Sequence, residues 1–113
     1  PSIRFVSYQS GSSSECTSST PVQDNSWEHW VIVRRFSSID FYRNGQQTSV
    51  SGSCTPSIDP FSIEYIDTYF GYADVYGILE GYLDEFAIWN RALNSSEVQA
   101  LYNGGSGYEI PLN

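Results

Sequence analysis

Lysine and methionine are absent from this chain, and histidine occurs once. All positive charge comes from five arginines set against 13 acidic residues, which gives a net charge of -8 and a pI near 4.2. That balance excludes nucleic acid and anionic membranes as partners, because both are held by Lys and Arg neutralising phosphates. It is compatible with divalent cations or neutral sugars, and it also keeps a chain soluble. The lone His29 has no second His or Cys at metal-ligand spacing. A serine triad needs a positioned imidazole base, whereas His29 falls in a predicted core strand and reads as a partly buried packing residue. No apolar run approaches the eighteen or so residues of a membrane helix, so no membrane insertion is expected. There is no secretory leader and no initiator methionine. Pro1 therefore reads as a processed, truncated or partly ordered start.

Cysteine is scarce too, with only Cys16 and Cys54. Both sit in stretches rich in Ser, Thr and Gly that read as loops. In an oxidising compartment the two are expected to pair.

What is present suits one domain: 113 residues, 40% hydrophobic and 16% aromatic, with nine tyrosines. Alternation of apolar side chains, the mark of a half-buried strand, runs through Ser2 to Tyr8. It returns in Trp27 to Phe36, where Trp30, Ile32, Arg34 and Phe36 share one face and His29, Val31, Val33 and Arg35 the other. Ser10 to Pro21 reads as a polar loop, or as an O-glycosylated tract in a secreted eukaryotic protein. Asn44-Gly45 lies between Ile39–Arg43 and Gln46–Val50, the strongest short signal for a hairpin closed by a type I′ turn. Ser51 to Pro60 reads as loop, Phe61 to Ile66 and Thr68 to Tyr72 as strands, and Ala73 to Gly77 as loop. In the tail, Tyr108, Ile110 and Leu112 are spaced for an edge strand.

The most informative stretch is GYLDEFAIWNRALNSSEVQALYNGG, Gly81 to Gly105. Tyr82 to Trp89 reads as a strand apolar on both faces, opened at Gly81 by a bulge or close backbone approach. Asn94 and Glu97 have the spacing of a capping box. Val98, Leu101 and Tyr102 then follow at helical spacing, and Gly104 suits the left-handed residue that ends a helix. A helix of about two turns cannot stand alone in water, so Val98 and Leu101 are expected to dock it on a sheet. Asn94-Ser95-Ser96 also fits an N-glycosylation sequon, but capping accounts for Asn94.

This stretch resembles the C-terminal signature of LamG-like (concanavalin A-like) jelly-roll domains, which include laminin G-like and pentraxin-related modules. Gly81, Leu83, Asp84, Glu85 and the run Trp89-Asn90-Arg91-Ala92-Leu93 stand where that pattern has them, followed by Ser95, Glu97, Val98, Leu101 and Tyr102. The segments WEHWVIV from Trp27 and FYRNGQ from Phe41 resemble further family strands. The resemblance implies an all-β antiparallel sandwich of the jelly-roll type with one short C-terminal helix. It covers Ile3 to about Asn103, yet only the later part of a family domain. Residues 1–113 are thus expected to be a single domain short of its N-terminal strands, completed by an upstream domain or a neighbouring chain.

The resemblance also bears on chemistry. Glycosidases of this fold carry a Glu-x-Asp-x-x-Glu strand, which this sequence lacks. Glu80 and Asp84 share a predicted strand face but stand about 13 Å apart, too far for either the retaining or the inverting geometry. No enzyme activity is expected. Laminin G-like relatives often bind Ca²⁺ at a loop rim through hard oxygen ligands. Asp59, Asp67 and Asp74 are the candidates here, although none belongs to a dense motif. Asp84 and Glu85 read as structural acceptors, from backbone or from Arg91. For sugar stacking, the candidate platform is Tyr69, Phe70, Tyr72 and Tyr76. The function implied is a non-catalytic adhesion module on an extracellular, cell or virion surface, with a glycan or protein as ligand. The alternative is a structural part that decorates or cements a capsid, fibre or filament.

Overall fold

The computed structural model describes residues 2–9, 12–55, 72–73 and 77–107. The chain forms two compact units, Pro1–Ile58 with Trp89–Asn113, and Asp59–Ile88. In the first unit, β1 (Arg4–Gln9), β2 (Ser12–Ser18) and β6 (Val50–Gly52) make one antiparallel sheet in the order β1-β2-β6. A second antiparallel sheet has the order β3-β4-β5, from Trp30–Arg34, Ile39–Arg43 and Gln46–Thr48. Helix α1 (Ser95–Tyr102) follows, with a 3-10 turn at Asn103–Gly105. The architecture is the expected antiparallel β-sandwich with one short C-terminal helix. In the second unit, the described pairing is the two-stranded ladder of β7 (Tyr72–Ala73) with β8 (Gly77–Ile78).

Alternation along β4 divides the core. Ile39 and Phe41 point to the first sheet and are buried with Cys16, against Ile3, Phe5, Val50 and Cys54. Tyr42 points the other way, to a second cluster with Val31, Val33, Leu93 and Val98, against which Leu101 packs. Full burial of side chains of this size stabilises by about 1.5–3 kcal/mol each. The second cluster is where the helix docks, and Val98 is completely buried there. Arg35 fixes the approach to the helix, because its guanidinium bonds both Asp40 and the Leu93 carbonyl.

The predicted Asn44-Gly45 turn is confirmed. Both residues have positive φ, 51° and 77°, as type I′ requires. The capping box is also present: Asn94 Oδ1 accepts from Glu97 N at 2.9 Å, and Glu97 Oε2 accepts from Asn94 N at 2.8 Å. The helix ends one residue before the expected glycine, with Asn103 in the left-handed conformation at φ 48°. Asparagine tolerates that region through its short polar side chain.

Three expectations are corrected. Within the tract Ser10 to Pro21, read as a loop, Ser12–Ser18 is strand β2, central in its sheet, and Cys16 lies in it. Its inward positions are Ser14, Cys16 and Ser18, so hydrophobicity does not mark the strand. The two serines are nonetheless 4% exposed. Their hydroxyls donate to the carbonyls of Ser53 and Thr20 at 2.8 and 2.9 Å, which removes the cost of burying them. Val50–Gly52, read partly as loop, is strand β6. There Gly52 has φ 93°, and any Cβ would lie 2.5 Å from the Glu15 carbonyl oxygen.

Tyr82 to Trp89, read as a buried strand, is irregular, and Gly81 makes no close approach. Glu85 has φ 52°, which breaks an extended chain, and its N–H bonds the Asp84 carboxylate at 2.9 Å. Tyr82, Leu83, Phe86 and Ile88 are exposed, as is Trp89 at 39%. Alternation supplies faces, but a strand also needs a ladder partner to satisfy its backbone. The strand expected at Phe61–Ile66 and the tail from Tyr108 lie outside the described residues.

Cys16 and Cys54 form a disulfide with their Cα atoms 4.7 Å apart and a sequence separation of 38. The chain-entropy model assigns a closed loop of that length about 4 kcal/mol. Cys16→Ser with Cys54→Ser should lower unfolding stability by that order in a denaturant titration. The Asn44-Gly45 turn gives a second check. A Cβ on Gly45 would sit 3.1 Å from Tyr102 Cδ1 in a left-handed backbone. Gly45→Ala should cost at least about 1–2 kcal/mol, read as a fall in melting temperature.

Candidate functional site

The β4–β5 turn and the end of α1 approach so closely that a Cβ on Gly45 would press on the Tyr102 ring, and a cleft of about 610 Å³ opens beside this contact. Its wall is made of neutral polar groups: the amides Asn44, Gln46 and Gln47 and the hydroxyls of Thr20, Thr48 and Ser49. Tyr102 supplies an aromatic surface and Arg43 the wall's single charge among the described residues. The size suits a small ligand, since binding clefts commonly span about 300–1,000 Å³.

Each wall element is held in place. Asn44 N donates to the His29 carbonyl at 2.8 Å, and His29 N donates to Asn44 Oδ1 at 3.0 Å, so the turn is tied to the start of β3. The His29 ring tilts against Tyr102 at a centroid distance of 6.1 Å. His29 is half-buried as expected, one residue ahead of the observed strand, and burial pushes its pKa below 6.5. Gln47 Nε2 donates to Asp40 Oδ1 at 3.1 Å, which orients its amide.

Behind the wall, Arg43 is paired with Glu28. The Glu28 side chain is only 4% exposed, and its other oxygen accepts from the Trp30 indole N–H at 2.9 Å. Burial alone would raise its pKa. The Trp30 and Arg43 hydrogen bonds, with one from the Gln23 backbone, outweigh burial and hold the carboxyl below its ordinary value. Arg43 Nε is buried without a hydrogen-bond partner among the described residues.

A smaller groove of about 370 Å³ lies on another side of α1, walled by Trp89, Leu93, Ala100 and Leu101. At its rim Arg91 grips Glu97 through two bonds of 2.9 and 2.7 Å. Arg91 therefore pairs with Glu97, and of the two donors expected for Asp84, backbone or Arg91, the Asp84 carboxylate takes a backbone N–H, that of Glu85. Glu97 thus serves two purposes: it caps the helix and it anchors Arg91. The Arg91 bond and the Asn94 backbone N–H lower its pKa from 4.5 to about 2.

Tyr69, Phe70 and Tyr76 lie outside the described residues, and Tyr72 contributes backbone to β7. Asp59, Asp67 and Asp74 also lie outside them. Among the described residues, no three His, Cys, Asp or Glu stand together as a metal site, and no helix is long and apolar enough to cross a membrane. Sequence reasoning missed Thr20, Asn44, Gln46, Gln47 and Tyr102. The signal for them was the polar Gln46-Gln47-Thr48 segment after the turn, where a buried strand would have carried apolar residues.

The comparisons agree with this fold. Residues 1–99 match a laminin G-type family model described as the Concanavalin A-like lectin/glucanases superfamily. The chain belongs to that superfamily. A search of curated proteins returns no match. Among solved structures, this superfamily member is similar to an S-layer domain-containing protein (residues 221-444) from Clostridium thermocellum ATCC 27405, with a TM-score of 0.62 and 25% identity. The match covers 89% of this chain and 51% of the other, so this chain spans about half the length of that structure.

The Glu97 pair makes an acid prediction. A carboxylate whose folded pKa is depressed stabilises above its unfolded pKa and loses that contribution as pH falls through the folded value. The contribution should therefore be present above pH 4.5 and fade toward about 2. Glu97→Gln keeps a capping acceptor but not the charge. Melting curves between those pH values should fall less steeply for the variant than for the wild type.

Proposed function

We propose that this chain is a non-catalytic recognition module that binds glycan at a cell or virion surface. The observation that carries this reading is the cleft beside α1. Neutral amides and hydroxyls act as donors and acceptors at once, which suits sugar hydroxyls, and Tyr102 offers a stacking surface. Among the described residues no carboxylate lines the cleft, whereas hydrolysis of a glycosidic bond canonically uses two flanking the bond. The disulfide supports an extracellular setting, since such bonds persist in oxidising compartments. A calcium contribution would come from Asp59, Asp67 and Asp74.

A second reading, structural decoration of a surface assembly, is favoured by the exposed apolar side chains of Tyr82, Leu83, Phe86 and Ile88 and by the similarity to a segment of an S-layer domain-containing protein. In that reading a neighbouring chain or upstream domain completes the sandwich over these residues.

A glycan array, run beside a product assay on its hits and a sedimentation measurement, separates these readings. Specific hits without released product are expected. An empty array with a stable oligomer would favour the structural reading, and released product that disappears on changing a carboxylate pair would make the chain a hydrolase.

A further inference from the structure

We infer that Glu28, buried behind the cleft, sets its charge selectivity: by neutralising Arg43 it makes the cleft a site for uncharged saccharides that needs no metal ion. This rests on the reading of the cleft as a glycan site.

Among the described residues, Arg43 is the single charged group on the cleft wall. An arginine at a sugar site ordinarily recruits carboxylate or sulfate, because its planar fork matches those anions. Here the guanidinium is given to Glu28, whose side chain is almost wholly buried. The pair is partly withdrawn from water, with the Arg43 side chain 25% exposed. An incoming anion would have to compete with a carboxylate already in contact, and it would meet the repulsion of that carboxylate across a poorly screened distance. The chain as a whole, at -8, adds to the repulsion.

Cations fare no better. A Ca²⁺ ion asks for six to eight oxygen ligands, usually with carboxylates among them. Among the described residues the wall has none, and the nearby Asp40 is engaged by Arg35 and Gln47. What remains is a set of neutral groups, which are satisfied by an uncharged polyhydroxyl ligand.

Glu28 is thus a positioning residue that touches no ligand, and it is committed to this state. Trp30 N–H and Arg43 both favour its charged form, and the net shift keeps it ionised at neutral pH. Its cost is visible in the buried, unpartnered Nε of Arg43, a kind of defect that native folds keep rare.

The test is isothermal titration of the whole chain and of Glu28→Gln, which removes the charge at nearly unchanged size and keeps one acceptor oxygen for one of the two donors, Trp30 or Arg43. The probes are the homotetrasaccharides of glucose, mannose and galactose, with tetragalacturonate as the anionic counterpart. Each titration is run with and without EDTA and at two salt concentrations. The wild type should bind a neutral tetrasaccharide more tightly than tetragalacturonate, with no dependence on salt or EDTA. Glu28→Gln should gain about tenfold for tetragalacturonate, as one charge-assisted hydrogen bond provides, and that gain should be sensitive to salt. Gln46→Ala, an exposed wall residue, should weaken neutral binding without lowering the melting temperature.

Salt-dependent preference of the wild type for tetragalacturonate, loss of binding in EDTA, or an unchanged preference in a folded Glu28→Gln would overturn the inference while leaving the glycan reading intact. Absence of binding to every saccharide, here and on the array, would overturn both.

Discussion

Strand β4 is the element that must be covered twice. A β-strand presents successive side chains to opposite faces, and in β4 both faces are apolar: Ile39 and Phe41 on one, Tyr42 on the other. The β1-β2-β6 sheet covers the first face and α1 covers the second. The helix is therefore integral to the sandwich. With eight residues it cannot persist alone, and without it Val31, Val33 and Tyr42 would face water. The capping box, the Arg35 bond to the Leu93 carbonyl and the Gly45–Tyr102 contact all serve to seat this one short element.

The same seating creates the cleft. Tyr102 is the last residue of α1, and it lies over the glycine of the hairpin turn, so the polar cleft joins a local turn to a helix more than fifty residues later in the chain. The polar character of the surface follows from its position beside β5, whose residues Gln46-Gln47-Thr48 pair with β4 on one side. Fold and site are consequently coupled: whatever loosens the helix also separates Tyr102 from the amides.

The elements legible in the sequence were those whose information is local. Asn44-Gly45 demands positive φ, Asn94 with Glu97 spells a cap, and Val31/Val33 alternate. Strand β2 was illegible because its inward residues are Ser, Cys and Ser, and their burial depends on carbonyls of residues 53 and 20, contributed by distant or adjoining chain. Residues 82–89 erred in the opposite direction. Their composition suits a strand, but a strand is a property of a pair, and Glu85 adopts a left-handed backbone in its place. The cleft escaped notice for a related reason. Aromatic clustering along the chain drew attention to Tyr69 through Tyr76, whereas the tyrosine beside the polar wall is brought there by tertiary packing. The Cys16–Cys54 pairing was legible from their number alone, although the strand carrying Cys16 was not.

The disulfide also determines how the molecule would bear tension. A pull on the two chain ends passes from residue 16 to residue 54 through sulfur, so residues 17–53, with strands β3, β4 and β5, carry no load while the bond survives. Helix α1 lies outside that shielded loop and is drawn off the hairpin before the hairpin itself is stretched. A module tethered in flow would let go of a ligand held against Tyr102 early and reversibly, with its Asn44-Gly45 turn still formed and ready to receive the helix when the force subsides.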